Sequence, residues 1–181
     1  VYLVLGEESG DALAMDMVEA LQAQCDTRNI TLTIEGLAGS RLKAAGVQSL
    51  FDIDDIAVMG ISAVLGRLPT IIRRVYQTVS DIEKRKPDVV VLIDSPDFTH
   101  AVAKRVRKRL PQVPIINYVC PSVWAWRSGR AKSMCAYVDH VLALLPFEPD
   151  VLKQLGGPPA TYVGHPLARK VAAMEPTGEA Q

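Results

Sequence analysis

The stretch KPDVVVLIDSPDF, residues 86–98, decides the fold. Asp88–Ile93 reads as the strongest strand of the chain, five apolar residues running without interruption into Asp94. Asp94 therefore stands at the strand tip, and Pro96 stops the ladder from continuing. A basic amphipathic helix follows over Phe98–Leu110, with Asp97 placed to cap its N-terminus. Working outward, the same alternation recurs. Val1–Leu5 has the continuous apolar pattern of a strand buried on both faces, and Leu13, Met17, Val18 and Leu21 mark a helix over Asp11–Ala23. Further strands are expected at Leu32–Leu37, Ser49–Ile53, Pro114–Val119, Val138–Leu144 and Thr161–Val163. Helices are expected at Arg41–Ala45, Ser128–Tyr137, Pro149–Leu155 and over Ile61–Arg85, the last interrupted at Pro69. Such alternation argues for an α/β fold: a doubly wound, mostly parallel, Rossmann-like sheet.

Composition narrows the function classes. The 181 residues carry 20 Lys+Arg against 20 Asp+Glu, so no global charge draws the chain to nucleic acid. Hydrophobic residues make up 49%, too many for intrinsic disorder. Three cysteines, Cys25, Cys120 and Cys135, do not make a disulfide framework and read as reduced cytosolic thiols. The longest uncharged apolar stretch, residues 56–66, is well short of the roughly 20 residues of a spanning helix. The N-terminus lacks a secretory signal and begins inside a strand without an initiator Met, so a few preceding residues are expected.

In a parallel sheet ligands bind beyond the carboxyl ends of the strands. Five loops leave such ends: GEESGD (6–11), LAGSR (37–41), DSPDF (94–98), CPSVWAWR (120–127) and GHPL (164–167). GEESGD matches neither a dinucleotide fingerprint nor a P-loop. In it Ser9 is placed to N-cap the first helix, and Gly10 to allow a ligand close. In DSPDF, Asp97 has a structural explanation as a cap. Asp94 is then a candidate general base, the alternative being an acid that holds loop amides. Trp124 and Trp126 bracket a Pro-bearing loop, and one buried ring with one lining a cleft is the expected arrangement. Nothing marks Cys120 as a nucleophile. His100, His140 and His165 lack metal-ligand spacing. From Val64 the apolar residues Leu65, Leu68, Ile71, Ile72 and Val75 fall at helical spacing beside Arg67, Arg73 and Arg74. That pattern fits a helix packed on the sheet, or a membrane-facing or acyl-binding surface. The cations of residues 100–109 lie opposite a stripe of Val102, Val106 and Leu110, the pattern of a solvated face.

Together GEESGD, AVMGISAVLGRLP, KPDVVVLIDSPDF, YVCPSVWAWRSGR, LPFE and VGHPL, in this order from Val1 to about Leu167, resemble the lipid-A-disaccharide synthase family. That family (glycosyltransferase family 19) has GT-B architecture, two Rossmann-like domains around a cleft. The resemblance implies transfer of 2,3-diacylglucosamine from UDP to 2,3-diacylglucosamine 1-phosphate, with inversion and with no metal or other cofactor. This chain would be the N-terminal, acceptor-binding half: residues 1–167 a domain, 168–181 a linker, and the UDP-sugar-binding domain absent. It implies that Asp94 is the base. Glu7, Ser9, Gly10, Asp11, Met59, Gly60, Ser122, Trp124, Trp126 and Arg127 would bind substrate, and His165 would mark the crossing to the second domain. Val64, Leu65, Arg67, Leu68, Ile71, Ile72, Arg73 and Arg74 would meet acyl chains and the cytoplasmic face of the inner membrane. The complete enzyme would be a peripheral protein and a homodimer, without a nucleic-acid partner. Ala63, Thr99, Cys120 and Arg169 stand where the family commonly has an acid, Asn, Ser and Asp. A non-catalytic acyl-sugar-binding module and another GT-B UDP-sugar enzyme are the alternatives.

Overall fold

A computed structural model describes residues 1–57, 61–126 and 128–168, with the backbone only for 61–65. Six strands form one sheet: β1 (Tyr2–Leu5), β2 (Glu35–Gly36), β3 (Val90–Ile93), β4 (Ile115–Tyr118), β5 (His140–Ala143) and β6 (Ala160–Tyr162). Their order is β2-β1-β3-β4-β5-β6, and every pairing is parallel. Register sets Leu5 beside Ile93 and Ile93 beside Tyr118, so the carboxyl ends of β1, β3 and β4 lie in line. All four residues of β1 and of β3 are buried, as their unbroken apolar runs require.

The helices are α1 (Glu8–Asp26), α2 (Ser40–Ala44), α3 (Ile61–Arg85), α4 (Pro96–Arg109), α5 (Gly129–Met134) and α6 (Glu148–Gln154). Right-handed crossovers place α1 on one face of the sheet and α3, packed on α4, on the other. Strand order turns back between β1 and β3. In a doubly wound sheet this switch point opens a crevice at the carboxyl ends of the two strands.

Four local expectations change. Leu32–Leu37 contracts to the two residues of β2, an edge position where Leu32 and Ile34 stay partly exposed. Ser49–Ile53 is no strand. Ser49 makes one bridge to Gly36, and Asp52 then accepts from the Asp54 amide to cap a 3-10 turn over Ile53–Asp55. Helix α3 runs through Pro69 without a break, and Pro69 lies on its exposed side, where its ring displaces nothing from the core. The helix expected over Ser128–Tyr137 is only the single turn and a half of α5.

Candidate active site

Glycines let the first two loops touch. A Cβ on Gly6 would stand 2.7 Å from the Cβ of Ser95, so no larger residue fits between β1 and the end of β3. Glu7 crosses the same gap and accepts a hydrogen bond from Ser95 Oγ at 2.9 Å. The N-cap of α1 is Glu7, in extended conformation and without a side-chain bond to the helix amides; Ser9 lies exposed in the first turn and does not cap. Gly10 is buried against Leu5, the Ile93 carbonyl and the Cβ of Asp94, so it faces the end of β3 and not a ligand.

Asp11 is also reassigned. Its carboxylate is fully buried and accepts from the amides of Gly39 (2.7 Å), Arg41 (2.8 Å) and Leu42 (3.4 Å). It caps α2 from another helix, placing negative charge where that helix's amides and dipole favour it. Glu8 extends the cap by accepting from the Ser40 amide and hydroxyl. Asp11, expected at the substrate, is thus consumed by the fold together with its neighbour Glu8.

The tip of β3 is strained. Asp94 and Ser95 are consecutive non-glycine residues with left-handed φ, 52° and 39°. The buried hydroxyl of Thr99 donates towards the carbonyls of Asp94 (2.9 Å) and Ser95 (3.1 Å) and holds the turn. Ser95, not Asp97, occupies the N-cap position of α4, with Pro96 in the first turn. Asp97 instead accepts from Arg130 Nη2 at 2.9 Å.

A third left-handed residue, Val119 (φ 77°), ends β4. The Asn117 side-chain amide donates to its carbonyl at 2.8 Å. Asn117 in turn faces His100 (Nε2–Oδ1 3.0 Å), and the Tyr137 hydroxyl meets His100 Nδ1 at 3.2 Å. Burial, aided by the nearby charges of Arg130 and Lys104, lowers the His100 pKa to about 4. Burial, with the Glu148 carboxylate adding, pushes the Cys120 thiol up to about 12, which removes it as a thiolate nucleophile.

These elements enclose a cavity of about 190 Å³ bordered by Asp94, His100, Asn117, Val119, Ser122, Trp126 and Arg130. Both tryptophans are exposed, Trp124 by 47% and Trp126 by 59%, so neither is the buried ring expected from the sequence. Trp124 stands edge-on to Phe147, with centroids 5.4 Å apart. Tight turns at Pro121–Trp126 hold both indoles outward in place of a core position. His165 belongs elsewhere, with Met17, Leu21, Tyr118, Leu142 and Val163 around an apolar groove of about 410 Å³. That groove is larger, but the smaller cavity holds the convergent polar groups that chemistry needs.

On α3, Leu68, Ile72 and Tyr76 form an exposed stripe, with Arg73 exposed beside it, while Ile71 is half-buried. Arg74 does not join them. It pairs with Asp55, bonds Gln77 Oε1 at 2.6 Å and stacks 4.6 Å from the Phe51 ring centroid, so it staples α3 to the 3-10 turn. Arg67 likewise donates to the Asp54 carbonyl at 2.9 Å, though it remains exposed. Met59, Gly60, Arg127 and Arg169 lie outside the described residues, as do the side chains of Ala63, Val64 and Leu65. Sequence reasoning missed three cavity residues, His100, Asn117 and Arg130, and the role of Thr99 in holding the Asp94 turn. The one available signal was a polar Asn within the apolar strand IINY.

A parallel sheet with a polar cavity beyond the carboxyl ends of β3 and β4 defines a doubly wound, Rossmann-like α/β protein in class. The family model described as Lipid-A-disaccharide synthetase matches residues 1–181, and the chain belongs to that family. Proteins named lipid-A-disaccharide synthase are similar to it. That of Rhodopseudomonas palustris strain BisB18 is 50% identical over 181 residues, covering 100% of this chain and 45% of the relative. That of Nitrobacter hamburgensis is 49% identical over 179 residues, covering 99% and 44%. The Myxococcus xanthus protein is 42% identical over 175 residues, covering 97% and 44%. The chain thus spans less than half the length of the curated relatives it matches.

Proposed function

We propose that this chain is the acceptor-binding half of a glycosyltransferase that joins UDP-2,3-diacylglucosamine and 2,3-diacylglucosamine 1-phosphate. Residues 1–167 are the folded domain in this reading, 168–181 lead out of it, and a further domain holds the UDP-sugar. Asp94 takes the proton of the acceptor's 6-hydroxyl while that oxygen attacks the donor's anomeric carbon. The bond from that carbon to UDP breaks as the new one forms, so the configuration inverts and UDP leaves with the electron pair.

The observation that carries the reading is the placement of Asp94. It stands at the switch point, on a strained turn, at the mouth of a cavity walled by Trp126. An aromatic wall suits the apolar face of a sugar ring, and a strained, hydrogen-bonded turn holds the base at a fixed angle. Ser122 borders the same cavity, and in this reading Glu7, Ser9 and Trp124 would meet the substrate from the neighbouring loops. The stripe of Leu68, Ile72 and Tyr76 with Arg73 is the surface we assign to acyl chains and the membrane, which would put the complete enzyme on the bilayer from the cytoplasmic side. Among the described residues no helix is long and apolar enough to cross a membrane.

Asp94→Asn in the full-length enzyme is the test. A general base contributes about 10²–10⁴-fold, so kcat should fall by that factor with folding intact. A near-normal rate would reject the assignment.

A further inference from the structure

We propose that Arg130 binds the phosphate of the acceptor sugar, so that one cavity grips the acceptor at both ends. This rests on the glycosyl-transfer reading and adds to it the group that orients the substrate.

Arg130, in the first turn of α5, reaches back to line the cavity that Asp94 borders. Its side chain is only 19% exposed, whereas that of its partner Asp97 is 86% exposed. An ion pair with so exposed a partner contributes about 0–1 kcal/mol, too little to explain a guanidinium set in a cavity wall. Its contact to Asp97 engages Nη2, and a guanidinium has about five N–H donors. Among the described residues lining the cavity, Asp94 and Arg130 are the charged groups, because burial keeps His100 neutral near pH 7. The cavity is therefore bipolar, with a carboxylate at one position and a cation at another.

An acceptor with a hydroxyl to be deprotonated and a phosphate monoester has the complementary polarity. The planar guanidinium fork matches two phosphate oxygens, which an ammonium does not. Size agrees. The cavity of about 190 Å³ is smaller than the roughly 300–1,000 Å³ of sites that enclose drug-sized ligands, so it holds a sugar ring and its charged substituent. Acyl chains would remain outside.

The test uses the full-length enzyme and two acceptors, 2,3-diacylglucosamine with and without its 1-phosphate. Wild type should prefer the phosphorylated acceptor by about 10- to 100-fold in kcat/KM, the range for charged hydrogen bonds. Arg130→Ala should use both acceptors alike while keeping the KM for the UDP-sugar. Arg130→Lys, which keeps the charge and guards against misfolding, should retain part of the preference. Asp97→Asn should retain all of it. Equal losses on both acceptors in Arg130→Ala, or the same loss in Asp97→Asn, would show a merely structural pair and overturn the proposal. Absence of disaccharide from wild type with either acceptor would overturn the transfer reading itself, and needs no variant to be seen.

Discussion

His100 and Asn117 face each other in the interior, Nε2 to Oδ1 at 3.0 Å, and their bond has only one sensible direction. Asn117 gives its amide hydrogens to the Val119 carbonyl, so its oxygen turns to His100 and accepts. The Tyr137 hydroxyl donates to Nδ1. The imidazole is then neutral with its proton on Nε2, and the chain Tyr137, His100, Asn117, Val119 runs one way into the left-handed turn that starts the tryptophan loop.

That chain makes stability depend on acid. Burial lowers the folded His100 pKa to about 4, against about 6.5 for a free histidine. The unfolded state then binds the extra proton, so this contribution is complete above pH 6.5 and is lost as pH falls through that value towards 4. The loss amounts to about 3 kcal/mol at most. Urea midpoints for wild type should drop between pH 7 and pH 5 by more than those of His100→Gln. Parallel curves for the two proteins would refute the neutral, buried imidazole.

Asp11 predicts a split between stability and binding. Asp11→Ala leaves three amides at the start of α2 without their acceptor, two of them at 2.7 and 2.8 Å. Unfolding free energy should fall by about 1–3 kcal/mol. Once corrected for folded fraction, KM for the acceptor should not move. A raised KM with unchanged stability would return Asp11 to the substrate.

Thr99 predicts the opposite split. Thr99→Val keeps the shape but removes the hydroxyl that holds the Asp94 and Ser95 carbonyls. Stability should fall by about 1 kcal/mol, and kcat should fall while KM stays near wild type, because only the angle of the base is disturbed. Full activity in steady-state assays would mean that the turn holds without Thr99.

The fold was legible because β1 and β3 are continuous apolar runs, a pattern that only two-sided burial explains. Asp94 was legible for the same reason: it is the first polar residue after such a run. What the sequence hid was contact across distance. Asp11 and Glu8 read as loop acids because nothing local shows that α2 begins beside them. Arg74 read as a surface cation because its partners, Asp55 and Phe51, come from a turn that alternation misreads as a strand. Asp97 looked like a cap because composition favours an acid there, while the positive φ of Ser95 shifts the helix start by two residues. His100 and Arg130 lie on helices whose pattern shows which face is buried, but not which group meets the cavity.

The left-handed residues at the ends of β3 and β4, Asp94, Ser95 and Val119, set a direction for evolution. Each is held at a cost of order 1–3 kcal/mol, and glycine would remove the cost at any of them. Selection for heat resistance alone should therefore drift towards glycine at positions 95 and 119. Variants from such an experiment would melt later and hold their base and tryptophan loop less firmly. Thermal robustness and substrate grip would trade against each other at the same few backbone bonds.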